Sequence, residues 1–446
     1  MFQNYLRIAV LSALATYFLM LGAGVYTPAI YRQMFIQPVQ MMLREQEVEE
    51  LAKHKRFLWF NQAQRDDKKG VVVLDQGKTW GDYTFFSSAS GPKAWLIDLK
   101  GNVVHEWTID WHKIWADPGE RRPEASTLHT VVSRAFLQPN GDVFALFTGE
   151  GGLLGDFGLV KVDKDSKVIW KYNQFAHHDV SIMPNGNILT FIEEFRWNPY
   201  PAAPGLRPPF IEPYLVMLGP DGKEIKRLSI FDLFARSPQK KLLWQLDKEM
   251  NPQPPNGDIF HPNTITRVTA AAAARNPILV EGEYLLSFRN FNMLAQVDLD
   301  ADRITWASYG PWRGQHSPRF IDDGSLVMFD NMGNLSDTPG LSRVLNVDPV
   351  SGKILWEYDG TDKDPVFSSY NSGVDPLPNG NVLATEASAG RMFEVTRDKE
   401  LVWDYRASER YNDGDGETRI PSLFSGRRFR RADLPFLDQE PPAPAP

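Results

Sequence analysis

A pair of strands that ends on tryptophan recurs along most of the chain. The repeats end at Trp107, Trp170, Trp306, Trp356 and Trp403, as LIDLKGNVVHEW, LVKVDKDSKVIW, AQVDLDADRITW, VLNVDPVSGKILW and FEVTRDKELVW. A sixth pair, YLVMLGPDGKEIKRL near Leu228, fills the gap between Trp170 and Trp306 without the tryptophan. Units that recur at roughly 50 to 80 residues are typical of propellers, whose blades stack around an axis.

A second family of hairpins lies between the first. These hairpins turn on Pro-Asn-Gly or Asp-Asp-Gly, which are strong hairpin signals inside alternating apolar runs: FLQPNGDVFAL, IMPNGNILTF, FIDDGSLVMF and PLPNGNVLAT. Two hairpins per unit predict a four-stranded blade, so the fold class is all-β, a six-bladed β-propeller over residues 71–433. The first unit lacks an inner strand, and we expect the C-terminal stretch TRIPSLFSGRRFR to supply it and close the ring.

Composition agrees with this fold and excludes several functions. The chain has 13 Trp, 14 Tyr and 27 Phe, with 33 Gly and 33 Pro for frequent turns. Its net charge of −8 lacks the basic excess of a nucleic-acid-binding protein. It has no cysteine, which excludes thiol catalysis, thiolate metal sites and disulfides.

The amino terminus has a different character. Between Arg7 and Arg32 lie 24 uncharged residues, enough for a helix to cross a hydrocarbon core of about 30 Å. Residues 1–32 are therefore predicted to be a membrane anchor with a transmembrane helix. A cleaved signal peptide is the alternative, because Gly22, Ala23 and Gly24 are small residues near the end of the apolar run.

Residues 33–70 are predicted to form an amphipathic helical stalk. Apolar residues recur there at helical spacing, and Glu45 to Glu50 precede Lys53 to Arg56, which suits the helix dipole. The apolar face could pack on the membrane, on the propeller, or on a partner in a homo-oligomer or membrane complex. Residues 434–446 (LPFLDQEPPAPAP) are predicted to form an extended Pro-rich tail.

Three related positions carry small basic or nucleophilic side chains. His178 stands six residues before Pro184, His316 six before Asp322, and Ser372 six before Pro378. Equivalent positions of a closed, symmetric fold converge on its axis, where inner strands line the channel. His261 opens another predicted inner strand, with Asn263 on the same strand face, and Arg289 lies on the next strand. A buried arginine needs an anion, either a ligand or an internal carboxylate such as Asp179.

Several motifs, taken in order, resemble those of the bacterial arylsulfotransferases, which do not use a nucleotide sulfate donor. They are HHDVSIMPNGNIL, HPN followed by SFRN, GQHSPRFIDDGSLVMFDN, RVLNVDPVSGKILWEY and LPNGNVLATEASAGRMFEVT, and they cover about residues 80 to 430. The resemblance implies a six-bladed propeller that moves a sulfuryl group from an aryl sulfate to a phenol without a cofactor. It also favours an amino terminus inside the cell for the predicted single span in the inner membrane, with the propeller facing the periplasm or the cell exterior.

The resemblance assigns roles to individual residues. His316 is the expected nucleophile, which forms a sulfohistidine in a ping-pong reaction, and His178, His261 and Arg289 are the other catalytic residues. Asn263 is expected to bind substrate. The residue pattern adds His177 and Ser372 as substrate-binding candidates, and the six-residue offset favours His178 over His177 as the inward-facing histidine. The chain departs from better-known periplasmic members, which carry a disulfide and a cleaved leader.

Two other functions remain open from the sequence. The propeller could be a non-catalytic scaffold or ligand-binding subunit of a membrane complex, attached through the stalk. Alternatively, His178, His261 and His316 could bind a metal, as three histidines hold catalytic zinc with an open position. The metal hypothesis leaves Arg289 unexplained, and close spacings such as H-x-H are lacking. Turnover of an aryl sulfate separates enzyme from scaffold, and metal analysis tests the second hypothesis.

Overall fold

The computed structural model describes residues 59–62, 68–116, 130–149, 156–206, 208–245, 257–332, 342–412 and 418–438. The predicted membrane anchor, residues 1–32, and most of the predicted stalk lie outside the described residues. Within the described part of the chain, no helix is long and apolar enough to cross a membrane.

Strands account for half of the described chain. The first ten are β1 (Phe60–Gln62), β2 (Gly70–Leu74), β3 (Tyr83–Ser88), β4 (Lys93–Asp98), β5 (Val103–Thr108), β6 (Thr130–Leu137), β7 (Val143–Gly149), β8 (Asp156–Val162), β9 (Val168–Tyr172) and β10 (Ala176–Ile182). The next ten are β11 (Ile188–Arg196), β12 (Phe210–Leu218), β13 (Glu224–Ser229), β14 (Pro262–Arg267), β15 (Tyr284–Phe288), β16 (Met293–Asp298), β17 (Arg303–Tyr309), β18 (His316–Phe320), β19 (Leu326–Asp330) and β20 (Arg343–Val347). The last are β21 (Ile354–Tyr358), β22 (Gly360–Thr361), β23 (Asp364–Pro365), β24 (Gly373–Pro376), β25 (Val382–Glu386), β26 (Arg391–Val395), β27 (Leu401–Arg406), β28 (Tyr411–Asn412), β29 (Thr418–Pro421) and β30 (Leu423–Phe429).

The sheets confirm the six-bladed propeller. Blades 2 to 5 are the consecutive antiparallel sheets β6 to β9, β10 to β13, β14 to β17 and β18 to β21. Blade 1 has the order β30-β3-β4-β5, so the C-terminal stretch supplies its inner strand as predicted. Blade 6 is β24 to β27, and β2 adds a fifth strand at its outer edge. Both ends of the propeller chain therefore help to close the ring, which leaves fewer open strand edges.

Four of the recurrent tryptophans tie their blade to the next one. The indole N–H of Trp107 in blade 1 donates to the Gly141 carbonyl in the first turn of blade 2, at 3.0 Å. Trp170, Trp356 and Trp403 likewise donate to turn carbonyls of the following blade, on Pro220, Arg397 and Leu99 respectively. The repeated tryptophan thus fills space between blades and also satisfies its polar group.

Short helices lie in the connections between strands. The α-helices are α1 (Trp111–Ile114), α2 (Ile230–Ala235) and α3 (Ala270–Arg275), and 3₁₀ turns span Lys240–Gln245, Ala387–Ala389, Arg431–Asp433 and Pro435–Asp438. Ser229 caps α2 through its side chain. The apolar face of α2 packs with Tyr200 and Phe260 in a core cluster shared by blades 3 and 4. This cluster supports the loop that carries His261.

Two predicted boundaries need correction. Phe60–Gln62, assigned to the helical stalk, forms β1 instead and pairs with β29 across the cavity end of blade 1. Leu434 and Phe436, assigned to an extended tail, are buried in a core cluster with Trp107. Burying these two apolar side chains outweighs the disorder that the proline content of the segment predicts. Residues 439–446 of the predicted tail lie outside the described residues.

Candidate active site

The starts of the inner strands surround a cavity of about 270 Å³. His178, His261, His316 and Arg289 line it, so the four residues predicted to be catalytic meet at one place. Trp59 and Tyr370 form an aromatic wall of this cavity, with their rings edge to face at 5.5 Å. We call this space the large cavity.

Irregularities in the inner strands direct these side chains inward. The pairing register shifts between His177 and Val180 in β10, and between His316 and Arg319 in β18. His178 has a φ of 63°, and Ser317, after His316, has a φ of 51°. Such positive φ values are uncommon for residues other than glycine, and bulges near active sites often re-aim a side chain. The equal offsets of His178 and His316 from their turns therefore correspond to the same backbone irregularity, a register shift with a positive φ.

The imidazole of His316 is fixed by two acceptors. Its Nδ1 lies 2.9 Å from the Gly314 carbonyl and 2.8 Å from Oδ1 of Asn331. Asn331 is itself oriented, because its Nδ2 donates to the Ser368 carbonyl at 2.7 Å. Two acceptors at Nδ1 place the proton there, which leaves a lone pair on Nε2. Nε2 has no hydrogen-bond partner among the described residues, and the ring borders the large cavity.

The segment before His316 is anchored in blade 4. The side chain of Gln315 is fully buried and donates from Nε2 to the Ser287 hydroxyl at 3.0 Å. The backbone carbonyl of Gln315 accepts from Nδ2 of Asn263 at 2.7 Å. The motif Gly-Gln-His therefore combines an acceptor for the histidine with an anchor that fixes the start of β18.

His178 and His261 belong to a hydrogen-bonded chain. Asp258 contacts Nδ1 of His261, the Nε2 atoms of His261 and His178 are 3.1 Å apart, and His178 Nδ1 lies 2.7 Å from His177 Nδ1. The Asp258 carboxylate accepts from His261 Nδ1, so in neutral His261 Nε2 accepts from His178, which in turn accepts from His177. A proton at the cavity edge can thus be shared between His178 and His261.

Burial and neighbouring positive charge keep His178 and His316 neutral. Burial lowers the pKa of His316 well below its usual value, and the charges of Arg289 and Arg134 lower it further. Burial likewise lowers the pKa of His178, and His261 adds to this effect. Although burial pushes the pKa of Asp258 upward, the facing His261 holds it below its usual range. At neutral pH the site therefore contains a carboxylate and uncharged imidazoles on His178 and His316.

Arg289 does not pair with the carboxylate considered as its alternative partner. Asp179 pairs with Arg319 instead, at 3.3 Å. Arg289 donates to the neutral Oδ1 of Asn290 at 2.8 Å, and no described carboxylate lies within 4 Å of it. Burial lowers its pKa, and the charge of Asp258 opposes this effect. An arginine in this setting is a ready partner for an anion in the large cavity.

Three residues predicted to bind substrate lie behind the cavity surface. The ring of His177 stacks on Phe191 with centroids 5.9 Å apart, so His178 is the inward-facing histidine of the two. Asn263 is buried and holds Gln315. The hydroxyl of Ser372 is fully buried and accepts from the Ala387 backbone N–H at 3.1 Å. None of these three side chains lines the large cavity, although Asn263 lines a smaller one of about 20 Å³ beside it, and their substrate-binding roles stay predictions.

The described side chains do not form a metal-binding geometry. Among the described residues, no group of three or more His, Cys, Asp or Glu side chains is placed to hold a metal ion. His178 and His261 direct their Nε2 atoms at each other, while His316 Nδ1 is occupied by its two acceptors.

The model of the arylsulfotransferase (ASST) family matches residues 135–408, which is more than half of the chain. The chain belongs to the arylsulfotransferase family. The matched range includes His178, His261, Arg289 and His316, whereas Trp59 and Arg134 lie outside it. No curated protein matches this arylsulfotransferase family member significantly.

Three solved structures with similar folds are distant in sequence. One is a protein of unknown function from Bacteroides caccae, 10% identical, with 77% of this chain and 99% of that chain covered and a TM-score of 0.45. Another is a catalytically inactive virginiamycin B lyase from Staphylococcus aureus with quinupristin, 12% identical, with 82% and 98% covered and a TM-score of 0.39. A third is apo AztD from Citrobacter koseri, 10% identical, with 78% and 99% covered and a TM-score of 0.33.

Four residues of this arylsulfotransferase site were missed in the sequence. Asn331 orients His316, Asp258 orients His261, and Arg134 and Trp59 line the large cavity. The position of Asn331, directly after β19 and facing the start of β18, offered a signal once the hairpin was known. Trp59 offered none, since it lies in a segment assigned to the stalk.

Proposed function

We propose that the protein is an aryl sulfate:phenol sulfotransferase that works by a ping-pong mechanism through a sulfohistidine at His316. The observation that carries this proposal is the state of the His316 ring. Its Nδ1 proton is held by Gly314 and Asn331, and its Nε2 lone pair is free beside Arg289 in the large cavity. A fixed, neutral imidazole of this kind is an activated nucleophile.

In the first half-reaction, the Nε2 lone pair of His316 attacks the sulfur of the aryl sulfate. The bond between sulfur and the aryl oxygen breaks, and its electron pair leaves on that oxygen. The departing phenolate then takes a proton from the pair of His178 and His261, which enters this half-reaction with one extra proton, as an imidazolium beside the Asp258 carboxylate, and ends it neutral. The free phenol leaves, and the sulfuryl group remains bonded to Nε2.

In the second half-reaction, an acceptor phenol enters and its oxygen attacks the same sulfur. The bond between sulfur and Nε2 breaks, which returns the lone pair to His316. The phenol proton passes to the pair of His178 and His261, which restores the proton given up earlier. Protons and electrons therefore balance over one cycle without a cofactor.

The charges of the site support sulfuryl transfer. The sulfuryl group spreads negative charge over three oxygens, as a phosphoryl group does, so positioned cations and donors provide much of the stabilisation. Arg289 offers a planar guanidinium to these oxygens. Trp59 and Tyr370 offer flat apolar surface to the aryl ring, because aromatic rings stack or pack edge to face.

A single experiment tests the nucleophile. The purified full-length protein is incubated with 4-nitrophenyl sulfate and no acceptor, and phenolate release and protein mass are followed. We expect one phenolate per site in a burst and a mass increase of one SO₃ group on His316, which a phenol then removes. A protein that binds the ester but releases no phenolate would favour the scaffold function, and activity lost on metal removal would favour the metal hypothesis.

We also propose that residues 8–26 tether the propeller to the membrane, with the propeller outside the cytoplasm. The uncharged stretch between Arg7 and Arg32 supports this proposal. A reporter fused after Pro446 that is active only in the cytoplasm would reverse the orientation. A mature protein that begins near residue 25 would replace the anchor by a signal peptide.

A further inference from the structure

Arg134 is a buried arginine in the inner strand of blade 2, and its side chain is only 4% exposed. It reaches toward the inner strands of blades 1 and 6, where Nη1 donates to the Ser425 hydroxyl at 2.8 Å and Nη2 to the Ser372 carbonyl at 3.3 Å. Both of these partners are neutral. No described carboxylate lies within 4 Å of the Arg134 guanidinium.

The neighbouring cations of the channel wall are paired. Arg319 contacts Asp179 at 3.3 Å, and Arg427 contacts Asp375 at 3.5 Å. Two carboxylates thus serve Arg319 and Arg427, and neither they nor any other described carboxylate pairs with Arg134. A buried guanidinium without a counter-ion costs stability, so its presence calls for an anion that arrives with the ligand.

The position of Arg134 connects it with the large cavity. Its side chain lies where the large cavity meets a smaller one of about 20 Å³, and it lines both. It borders the large cavity together with Arg289 and His316. The other charges that act on Arg134 come from Asp179, Arg319 and Arg427, whereas Asp258 is the charge that acts on Arg289. Arg134 and Arg289 therefore have different charged neighbours, and both line the large cavity.

We propose that Arg134 is a second catalytic arginine, which contacts the oxygens of the sulfuryl group while Arg289 contacts them from blade 4. This inference rests on the proposed sulfotransferase function. Negative charge grows on the leaving oxygen while the sulfuryl group is between donor and acceptor, so two cations stabilise the transition state more than the ground state. Burial lowers the pKa of Arg134 to about 10, and the approaching anion restores the preference for the charged form.

The test measures anion binding separately from turnover. Inorganic sulfate is titrated calorimetrically into the full-length protein and into Arg134→Gln, Arg134→Lys and Arg289→Gln. Arg134→Gln should weaken sulfate binding by about tenfold or more and slow the phenolate burst by about 10² to 10³-fold. Arg134→Lys should recover part of both, because it keeps the charge without the planar fork. The matched control is Arg427→Gln, an arginine of the same wall that has its own carboxylate and does not line the large cavity.

Thermal stability distinguishes a catalytic role from a structural one. Removing an unpaired buried charge should leave the melting temperature of Arg134→Gln equal to or above that of the wild type. A lower melting temperature with unchanged sulfate affinity and burst rate would overturn the inference and make Arg134 a structural brace for Ser372 and Ser425. So would equal losses of sulfate affinity in Arg134→Gln and Arg427→Gln.

The two proposals can fail separately. Sulfate binding that depends on Arg134, in a protein that gives no burst with any aryl sulfate, would refute the sulfotransferase function and keep the anion contact. A normal burst and normal sulfate affinity in Arg134→Gln would keep the sulfotransferase function and refute the role of Arg134.

Discussion

His316 in blade 5 and the pair of His178 and His261 in blades 3 and 4 differ in what holds their rings. His316 is held at Nδ1 by a backbone carbonyl and an amide oxygen, both neutral. His261 is held at Nδ1 by the Asp258 carboxylate, and its Nε2 meets another histidine at 3.1 Å. One arrangement fixes a proton and exposes a lone pair, while the other makes a proton mobile.

This difference suggests a division of labour within one cavity. Neutral acceptors at Nδ1 leave His316 uncharged and nucleophilic. A carboxylate behind His261 stabilises the imidazolium that forms when the pair takes up a proton. In the proposed function, histidine thus serves as the nucleophile in one place and as general acid and base in another.

The largest effect should come from removing the nucleophile. His316→Ala should lower turnover by about 10⁴-fold or more, since no other side chain offers a free imidazole lone pair at this position. Adduct and burst should disappear together, measured by intact mass and stopped-flow absorbance. His178→Ala serves as the comparison, because it should slow turnover and still give the adduct on His316. An adduct on another residue would remove His316 from this role.

The next effect should come from the other side of the comparison. Asp258→Asn keeps an acceptor for His261 and removes the charge, so protonated His261 becomes less stable. We expect about 10²-fold slower release of poorly departing phenols such as 4-methylphenol, and a much smaller change for 4-nitrophenol, which leaves without a proton. The measurement is the burst rate across a series of aryl sulfates. Equal slowing of all esters would mean that Asp258 only supports the fold.

Much of the architecture was predictable because it is local and repeated. The strand pairs that end on Trp107, Trp170, Trp356 and Trp403 fix the outer hairpins, and the tryptophans also donate to the next blade. The segment after Leu434 was not predictable from composition. Its prolines suggest an extended chain, yet Leu434 and Phe436 find a buried place against blade 1. That place exists only once the ring is closed.

The candidate site shows the same division. Equivalent offsets from the turns identified His178 and His316, because inner strands begin at one level around the axis. Asp258 and Arg134 could not be identified in this way. Asp258 lies in a loop three residues before His261, and Arg134 differs from Arg319 and Arg427 only in lacking a carboxylate. Pairing of this kind is set by contacts between blades, which spacing along the chain does not reveal.

A smaller effect should follow when the His316 ring is loosened. Asn331→Leu removes one of two acceptors at Nδ1, and we expect about five- to tenfold slower adduct formation, the worth of one hydrogen bond. The bond to Asn331 raises the pKa of His316 against the effect of burial, so the acid limb of the pH profile should move to lower pH. Asn331→Asp should move it to higher pH. A profile unchanged in both variants would show that Asn331 does not act through His316.

The smallest expected effect concerns His177, behind the cavity. Burial lowers its pKa to about 3, against about 6.5 in an unfolded chain. Between these pH values His177 binds more protons in the unfolded chain than in the folded one. The contribution of neutral His177 to stability is therefore fully present above pH 6.5 and is lost as the pH falls. His177→Gln keeps a donor for His178 and removes this titration. Between pH 8 and pH 5.5 the variant should lose about 1.4 kcal/mol less unfolding free energy than the wild type, measured by urea denaturation. Equal losses would mean that His177 takes up a proton as readily in the folded protein as in the unfolded chain. The hydrogen-bonded chain from Asp258 to His177 would then carry a positive charge at His177 at low pH.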